Sequence, residues 1–211
     1  NHNKKMWLFS ILLFCSCVLR AEKFVFTTIW TPQAEFAGYY VAKEKGFYKE
    51  AGLDVVIQYP SLTSSVHHRI ESDECDAGMF SIMSAIDIIA SGTPLVNIFQ
   101  TSMNSSYLIV SRWGKNPLTQ KRDRLAIYMS EPNYLSFIMD RQMKMNFEYV
   151  FFTGNINVFL SGGIDAMTVV SFNEYVLLKQ AGFEMSEESI FRFKDNGYNI
   201  QENGVYVKRE D

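Results

Sequence analysis

Cysteine is scarce in this sequence, and several motifs of catalysis are missing from it. Two of the 3 cysteines, Cys15 and Cys17, lie in an apolar run near the N-terminus. If that run is removed on export, Cys75 alone remains, which excludes an internal disulfide and a cysteine-based metal cluster. The Gly-x-Ser-x-Gly, phosphate-loop and Gly-x-Gly-x-x-Gly patterns are also absent, so no common hydrolase or nucleotide-binding motif points to an enzyme.

Basic residues are outnumbered, and they form no stripe along the chain. There are 20 Lys and Arg against 23 Asp and Glu, and loss of Lys4, Lys5 and Arg20 with the N-terminal run would leave 17 against 23, a net charge near −6. Nucleic acid is therefore not an expected partner. The neighbouring His67 and His68 diverge on a helix and lack a third ligand at a suitable spacing, so neither a metal nor another cofactor is predicted.

Residues 1–21 have the composition of a secretory signal peptide. Two lysines precede an apolar run of about fourteen residues, Met6 to Leu19, and the small residue Ala21 follows. The run is shorter than the roughly 20 residues of a membrane-spanning helix, so we predict cleavage after Ala21 and a periplasmic or other extracytoplasmic location. An uncleaved membrane anchor is the alternative. A lipoprotein attached through a cysteine of the run fits less well, because the preceding residues are not small.

The rest of the chain alternates between strand-like and helix-like segments separated by short turns, which is typical of α/β construction. One series of such segments ends at Phe99, and a second begins at Leu125 after an extended segment and a polar stretch. Two successive series predict two lobes with a cleft between them. We assign residues 22–102 to lobe 1, 103–193 to lobe 2 and 194–211 to a segment that returns towards lobe 1.

The segment from Trp30 to Asp54 carries the most informative pattern. A Trp-x-Pro turn ends the first strand, the next helix contains Phe36-Ala-Gly-Tyr-Tyr-Val-Ala, and Lys45-Gly-Phe-Tyr and Gly52-Leu-Asp lead into the second strand. This pattern resembles the periplasmic substrate-binding proteins that serve importers of thiamine pyrimidine precursors, aliphatic sulfonates, taurine and nitrate. The resemblance continues along the chain, and residues 196–206 are similar to the pyrimidine-precursor branch and to related bacterial sensor domains.

The resemblance implies both a fold and a function. The fold is a two-lobed α/β fold of the type II periplasmic-binding-protein kind with a central ligand cleft. Members of the family continue with further helices, so we expect this chain to be a fragment that lacks those C-terminal helices. The implied function is delivery of a small organic ligand, first of all a thiamine pyrimidine precursor, to the permease of an ABC importer. The alternative is a ligand-sensing domain of a membrane-bound histidine kinase or similar signalling protein.

A fungal branch with the same fold consists of pyrimidine-precursor synthases, which consume a histidine and a lysine-bound pyridoxal phosphate. Those enzymes carry a lysine and a histidine in the segment that matches Asp76 to Ser84, whereas this sequence has Phe80 and Ser84 there. Their cysteine-rich iron-binding motif has no counterpart either. We therefore predict that the chain is not an enzyme. A third alternative is a scaffold whose cleft is filled by Trp30 packed against Phe80.

The predicted ligand site begins at the end of the first strand. Trp30 lies where α/β sheets commonly bind ligands, and its ring suits stacking on a flat heterocycle. Gln33, Asn173 and Glu174 are predicted to orient the ligand, and Glu174 favours an amino-bearing pyrimidine over a sulfonate because a carboxylate repels an anion. The complete set of predicted ligand-binding residues is Trp30, Gln33, Phe36, Tyr39, Tyr40, Phe80, Ser81, Gln100, Thr101, Ser171, Asn173 and Glu174.

Several of these residues also have a plain structural interpretation. Tyr39 and Tyr40 are adjacent on a helix and point about 100° apart, so only one of them can face the cleft squarely. Ser81 and Asn173 precede helices and fit as N-terminal caps. The pair Gln100-Thr101 lies where the chain crosses between lobes and fits hinge hydrogen bonds.

Overall fold

A computed structural model describes residues 21–209, apart from 113, 120–122 and 130–132. The predicted signal peptide therefore lies outside the described residues except for Ala21. The described strands form two five-stranded sheets. In chain order the strands are β1 (Glu22–Thr27), β2 (Leu53–Gln58), β3 (Ala77–Ser81), β4 (Leu95–Gln100), β5 (Tyr107–Ser111), β6 (Arg124–Tyr128), β7 (Glu148–Phe152), β8 (Ala166–Val170), β9 (Ile190–Arg192) and β10 (Asn203–Lys208).

Helices connect the parallel strands in both halves. Short 3-10 helices add single turns at Ala34–Phe36, Pro117–Thr119, Glu187–Ser189 and Phe193–Asn196. The α-helices are α1 (Ala37–Glu44), α2 (Phe47–Glu50), α3 (Val66–Glu71), α4 (Ile82–Ala90), α5 (Tyr134–Met143), α6 (Asn157–Leu160) and α7 (Glu174–Gln180).

The first sheet has the strand order β2-β1-β3-β10-β4. Strands β1, β2 and β3 run parallel, so the connections between them need helical crossovers. Helices α1 and α2 connect β1 to β2, and α3 connects β2 to β3. Strand β10 enters from the far end of the chain and pairs antiparallel with both β3 and β4. The middle of the sheet is therefore closed by a strand that follows β4 by about a hundred residues in the chain.

The second sheet has the order β7-β6-β8-β5-β9. Strands β6, β7 and β8 are parallel, while β5 pairs antiparallel with β8 and places Ile109 opposite Thr168. Strands β6 and β8 are buried almost throughout, which fits their continuous apolar runs. Each sheet has its own hydrophobic core, with Phe36 and Met79 fully buried in the first and Phe159 and Met167 in the second.

Two chain segments cross between the sheets, one between β4 and β5 and the other just before β10. They run side by side, because the N–H of Glu202 donates to the carbonyl of Ser102 at 2.9 Å and the hydroxyl of Thr101 donates to the carbonyl of Asn203 at 2.8 Å. The fold therefore has two lobes with a paired connection. The lobe boundaries at 102/103 and 193/194 stay predictions.

One glycine shows how tightly α3 lies on β3. A Cβ atom at Gly78 would lie 2.7 Å from Cγ1 of Val66 and 2.9 Å from the ring of Phe80. The apolar run of β3 is buried on both faces, and Phe80 itself is only 3% exposed. The ring of Phe80, near the end of β3, is thus packed into the first core.

Candidate functional site

A cavity of about 90 Å³ lies between the two sheets. The turn after β1 forms one wall, and the segments that follow β7 and β8 form the other. One buried water needs about 10–15 Å³, so there is room for several waters or for a small organic molecule. Four aromatic and three acidic side chains stand out in the lining: Trp30, Tyr107, Tyr128, Phe172, Glu35, Glu174 and Glu202.

A buried threonine fixes the turn that presents Trp30. Thr28 is fully buried, and its hydroxyl lies 2.8 Å from the carbonyl oxygen of Trp30 and 3.1 Å from that of Gln58. The backbone after β1 is thereby tied to the end of β2, while the side chain of Trp30 lines the cavity and remains 40% exposed. An indole held in this way offers a flat face to a ligand without being needed by the core.

Glu174 is the acidic residue of the second lobe's wall. It begins α7 and is only 3% exposed. Its Oε2 accepts hydrogen bonds from the hydroxyl of Tyr128 at 2.7 Å and from the N–H of Val170 at 3.2 Å, and its Oε1 accepts from the amide of Asn173 at 3.1 Å. Three donors therefore hold the carboxylate in place.

Tyr128 is the chief partner of that carboxylate. Its ring stacks on Phe152 with centroids 4.9 Å apart and meets Tyr107 edge-on at 6.1 Å. Burial raises the pKa of Tyr128 well above its ordinary value, and the negative charge of Glu174 raises it further. The phenol therefore stays protonated and keeps donating to Glu174.

Glu202 joins the two sheets. It lies just before β10 of the first sheet and is 6% exposed. Its carboxylate accepts from the hydroxyls of Ser105 and Ser106, both at 2.7 Å, and from the N–H of Ser106 at 3.0 Å, immediately before β5 of the second sheet. A residue of the cavity lining thus also fixes the connection between the lobes.

Glu35 is the third acidic residue of the lining. Its Oε1 accepts from the amide of Asn203 at 2.5 Å, and its Oε2 accepts from the amide of Gln33 at 3.3 Å. Burial raises the pKa of Glu35 and of Glu202 above the ordinary range, and the charge of Glu202 adds to the increase at Glu35. No lysine or arginine belongs to the cavity lining in the part of the chain that the structure describes.

The raised pKa of Glu35 predicts a pH-dependent stability. Because the folded protein holds this proton more tightly than the unfolded chain does, folding is favoured below the ordinary glutamate pKa, and that benefit is lost as pH rises through the folded value. The variant Glu35→Gln should therefore gain stability relative to the parent as pH rises from 4.5 towards 7. Urea unfolding of both proteins across this range measures the difference.

The control for this comparison is Glu44→Gln, which removes one negative charge from an exposed position of α1. It corrects for the change in net charge alone. A free energy of unfolding of Glu35→Gln that falls relative to that of the parent as pH rises would contradict the assigned direction.

Four of the predicted ligand-binding residues lie on the cavity. Trp30 and Gln33 come from the first lobe, and Asn173 and Glu174 come from the second, so the structure brings the two predicted walls face to face. Trp30 is not packed against Phe80, since Phe80 belongs to a core cluster that does not contain it. That these four residues bind a ligand stays a prediction.

Three predicted aromatic residues have other locations. Phe36 is fully buried in the first core, and Tyr39 packs on Phe26 with ring centroids 4.8 Å apart. Tyr40 is half-buried against the same core. These three rings are absent from the lining because they pack against the first sheet. The buried Phe80 is absent as well, since it packs against the helices α3 and α4 that cover β3.

The remaining predicted residues perform structural tasks. The hydroxyl of Ser81 caps α4 by accepting from the N–H of Ser84 at 3.2 Å. The amide of Gln100 donates to the carbonyl of Asn203 at 3.0 Å, and Thr101 bonds to the same carbonyl. The N–H of Ser171 donates to the carbonyl of Ser106 at 3.0 Å. None of these four lines the cavity described above, although Ser81 lines a smaller cavity beside it.

Metal binding and membrane crossing find no support among the described residues. They contain no group of three or more His, Cys, Asp and Glu side chains arranged to hold a metal. His67 approaches the hydroxyl of Thr93 at 3.4 Å, while His68 faces Glu74 at 3.7 Å, so the two rings diverge. Nor does the described part include a helix with the length and apolar content needed to cross a bilayer.

Two α/β lobes with a cleft between them define a type II periplasmic-binding-protein fold, as predicted. The family model described as NMT1/THI5 like matches residues 33–210, and the chain belongs to this family. The pyrimidine-phosphate synthase of Saccharomyces cerevisiae named THI11 (4-amino-5-hydroxymethyl-2-methylpyrimidine phosphate synthase) is 29% identical over 80 residues, which cover 38% of this chain and 24% of the yeast protein. The match thus spans about a quarter of the curated relative's length.

Solved structures share the fold at low sequence identity. The periplasmic aliphatic sulphonate binding protein SsuA from Escherichia coli superposes with a TM-score of 0.65 at 14% identity, covering 89% of this chain and 65% of that one. A structure describing glutathione import via GshT and the cystine ABC importer TcyBC of Streptococcus mutans gives a TM-score of 0.60 at 14% identity, covering 90% and 83%. These structures concern chemically different compounds, so the ligand of this chain must be inferred from its own cavity.

Proposed function

We propose that this chain is an extracytoplasmic solute-binding protein of an ABC importer and that its ligand is a small, flat, amino-bearing molecule of the thiamine-pyrimidine-precursor class. The observation that carries the proposal is the charge of the cavity. Glu35, Glu174 and Glu202 line it without a lysine or arginine among the described lining residues. Carboxylates accept hydrogen bonds from amino groups and repel sulfonates, carboxylates and phosphates.

The aromatic residues of the lining support the same ligand class. Trp30 on the first lobe and Phe172 on the second both line a cavity that suits a six-membered heterocycle in size. Stacking on such rings contributes about 1–3 kcal/mol per base. The acidic wall would then set the orientation of the ring through its amino group. Closure of the two lobes around the ligand is the expected binding motion.

The residues at two sequence positions argue against the alternative of a synthase. Where the resemblance places a lysine and a histidine, this chain has Phe80 and Ser84. Phe80 is buried in the first core, and the hydroxyl of Ser84 accepts from that of Ser81 at 2.9 Å within the cap of α4. These residues do not fit a lysine-bound pyridoxal phosphate, so we propose binding without catalysis. A ligand-sensing domain of a membrane signalling protein would use the same cavity and differs only in its partner.

A thermal-shift screen of the full chain tests the proposal. We expect aminopyrimidines such as 4-amino-5-hydroxymethyl-2-methylpyrimidine to raise Tm by several degrees at concentrations well above Kd, since a ligand that binds only the folded state stabilises it. Taurine and alkanesulfonates should leave Tm unchanged. A shift with the sulfonates and none with the aminopyrimidines would refute the ligand class.

A further inference from the structure

A second, smaller cavity of about 30 Å³ lies between the lobes, next to the first one. Tyr107 and Glu202 line both cavities and form the partition between them. Apart from these two, the lining is mostly apolar and includes Ile82, Met83, Leu135, Phe193 and Ile200. The position of the partition makes the second cavity a side chamber of the cleft.

One polar side chain of this chamber lacks a hydrogen-bond partner among the described residues. Thr168 of β8 is 2% exposed and lines the chamber, and its hydroxyl makes no hydrogen bond among the described residues. A buried hydroxyl without a partner costs roughly 1–3 kcal/mol, and such groups in folded proteins usually bond to a water or a ligand atom. The hydroxyl is therefore a donor that a water or a polar atom of a guest can satisfy.

The charges around the chamber restrict that guest. The N-terminal ends of α4 and α5 adjoin it through Ser81 and Ser136, and helix N-termini favour partial negative charge. A full negative charge is disfavoured because the buried Glu202 forms part of the wall. A cation is disfavoured by the two helix ends. The chamber thus suits an uncharged group that ends in a hydrogen-bond acceptor.

We propose that the second cavity receives a short, uncharged arm of the ligand and that Thr168 determines specificity by donating a hydrogen bond to a carbonyl or hydroxyl oxygen on that arm. This inference rests on the proposed function, in which the ring of the ligand occupies the first cavity. The ligand would then be a ring with one substituent that passes the partition at Tyr107.

The test measures how three ligands bind to the full chain by calorimetry. The ligands share a 4-amino-2-methylpyrimidine ring and carry at position 5 a methyl, a hydroxymethyl or a formylaminomethyl group. We expect the substituents with an oxygen to bind more tightly than methyl. The variant Thr168→Val keeps the side-chain shape and should reduce the affinity for them about threefold to tenfold, while leaving that for the methyl compound unchanged.

Two further variants exclude indirect effects. Thr27→Val changes another fully buried threonine, which lines neither cavity, and should leave all three affinities unchanged. Met83 is partly exposed and lines the chamber, so Met83→Trp should narrow the chamber. This variant should selectively weaken the binding of the compounds with the longer arms. In the ligand-free protein Thr168→Val should leave Tm unchanged or raise it, because the hydroxyl it removes has no partner.

The outcomes separate this inference from the function on which it rests. If the methyl compound binds and the oxygen-bearing arms give no gain, or if Thr168→Val weakens all three compounds equally, the side chamber is not an arm site and the proposed function stands. If none of the three compounds binds to the parent, the proposed function fails and this inference fails with it.

Discussion

Replacing Trp30 by alanine should weaken the binding of 4-amino-5-hydroxymethyl-2-methylpyrimidine by about 5-fold to 150-fold, which corresponds to the 1–3 kcal/mol of a base stacked on an aromatic ring. The residue lines the cavity with 40% of its surface exposed, and Thr28 fixes its turn through the backbone. Removal of the ring should therefore cost affinity and little stability. Calorimetry for the ligand and thermal unfolding without it measure the two effects separately.

The matched control is Tyr59→Ala, which removes an aromatic side chain that is 49% exposed and lies off the cavity. It should bind like the parent. Trp30→Phe should recover part of the affinity, because a smaller ring still stacks. A Trp30→Ala protein that binds as tightly as the parent would show that the cavity wall has been assigned wrongly.

Replacing Glu202 by alanine should destabilise the protein by about 2–4 kcal/mol. The carboxylate accepts three hydrogen bonds from Ser105 and Ser106, and its loss leaves those donors without an acceptor inside the connection between the sheets. Burial of this carboxylate is itself unfavourable, as its raised pKa indicates. Its removal therefore regains part of the lost stability. Urea unfolding gives the change in the free energy of unfolding.

Two comparisons define the result for Glu202. Glu202→Gln keeps one carbonyl acceptor and should lose less stability than the alanine variant. Glu184→Ala removes an exposed glutamate and should change the free energy by less than about 0.5 kcal/mol. Equal stabilities of Glu202→Ala and Glu184→Ala would mean that the bridge between the lobes contributes nothing.

The regular elements of this chain could be predicted from local sequence. The sequence predicts strands at 53–58 and 166–170 from runs of β-branched residues between turn signals. Strands β2 (Leu53–Gln58) and β8 (Ala166–Val170) have these bounds. The sequence also predicts one helix over 34–45, ended by Gly46. In the structure this segment is divided, with a 3-10 turn at Ala34–Phe36 before α1, and Gly46 follows the helix with φ of 81°.

The acidic wall of the cavity could only be predicted in part. Glu174 follows a recognisable strand, so its position at a strand end was open to inference from the sequence. Glu35 and Glu202 were missed, because their roles depend on contacts between distant parts of the chain. The bond between Glu35 and Asn203 joins residues 168 positions apart. No local signal marks Glu202 either, since its partners Ser105 and Ser106 lie 97 and 96 positions away in the chain.

The aromatic residues show a second limit of prediction from sequence, because residue type alone does not say whether a ring faces the core or the cleft. Phe36 and Tyr39 are aromatic like Trp30 and occur in the same motif segment, and Phe80 lies near the end of β3, but all three rings complete the first core. Whether a ring at the end of a strand faces the core or the cleft depends on the path of the backbone after the strand. For Trp30 that path is fixed by Thr28, whose hydrogen bonds were not evident from the sequence.

The most direct test of the proposed site is a crystal structure of the full chain with 4-amino-5-hydroxymethyl-2-methylpyrimidine. We predict that the pyrimidine ring lies between the lobes in contact with the indole of Trp30, and that its amino group donates to a carboxylate oxygen of Glu35, Glu174 or Glu202. The hydroxymethyl group should point towards Tyr107. A ligand bound outside this cleft, or a ring in the cleft whose amino group faces no carboxylate, would contradict the proposal.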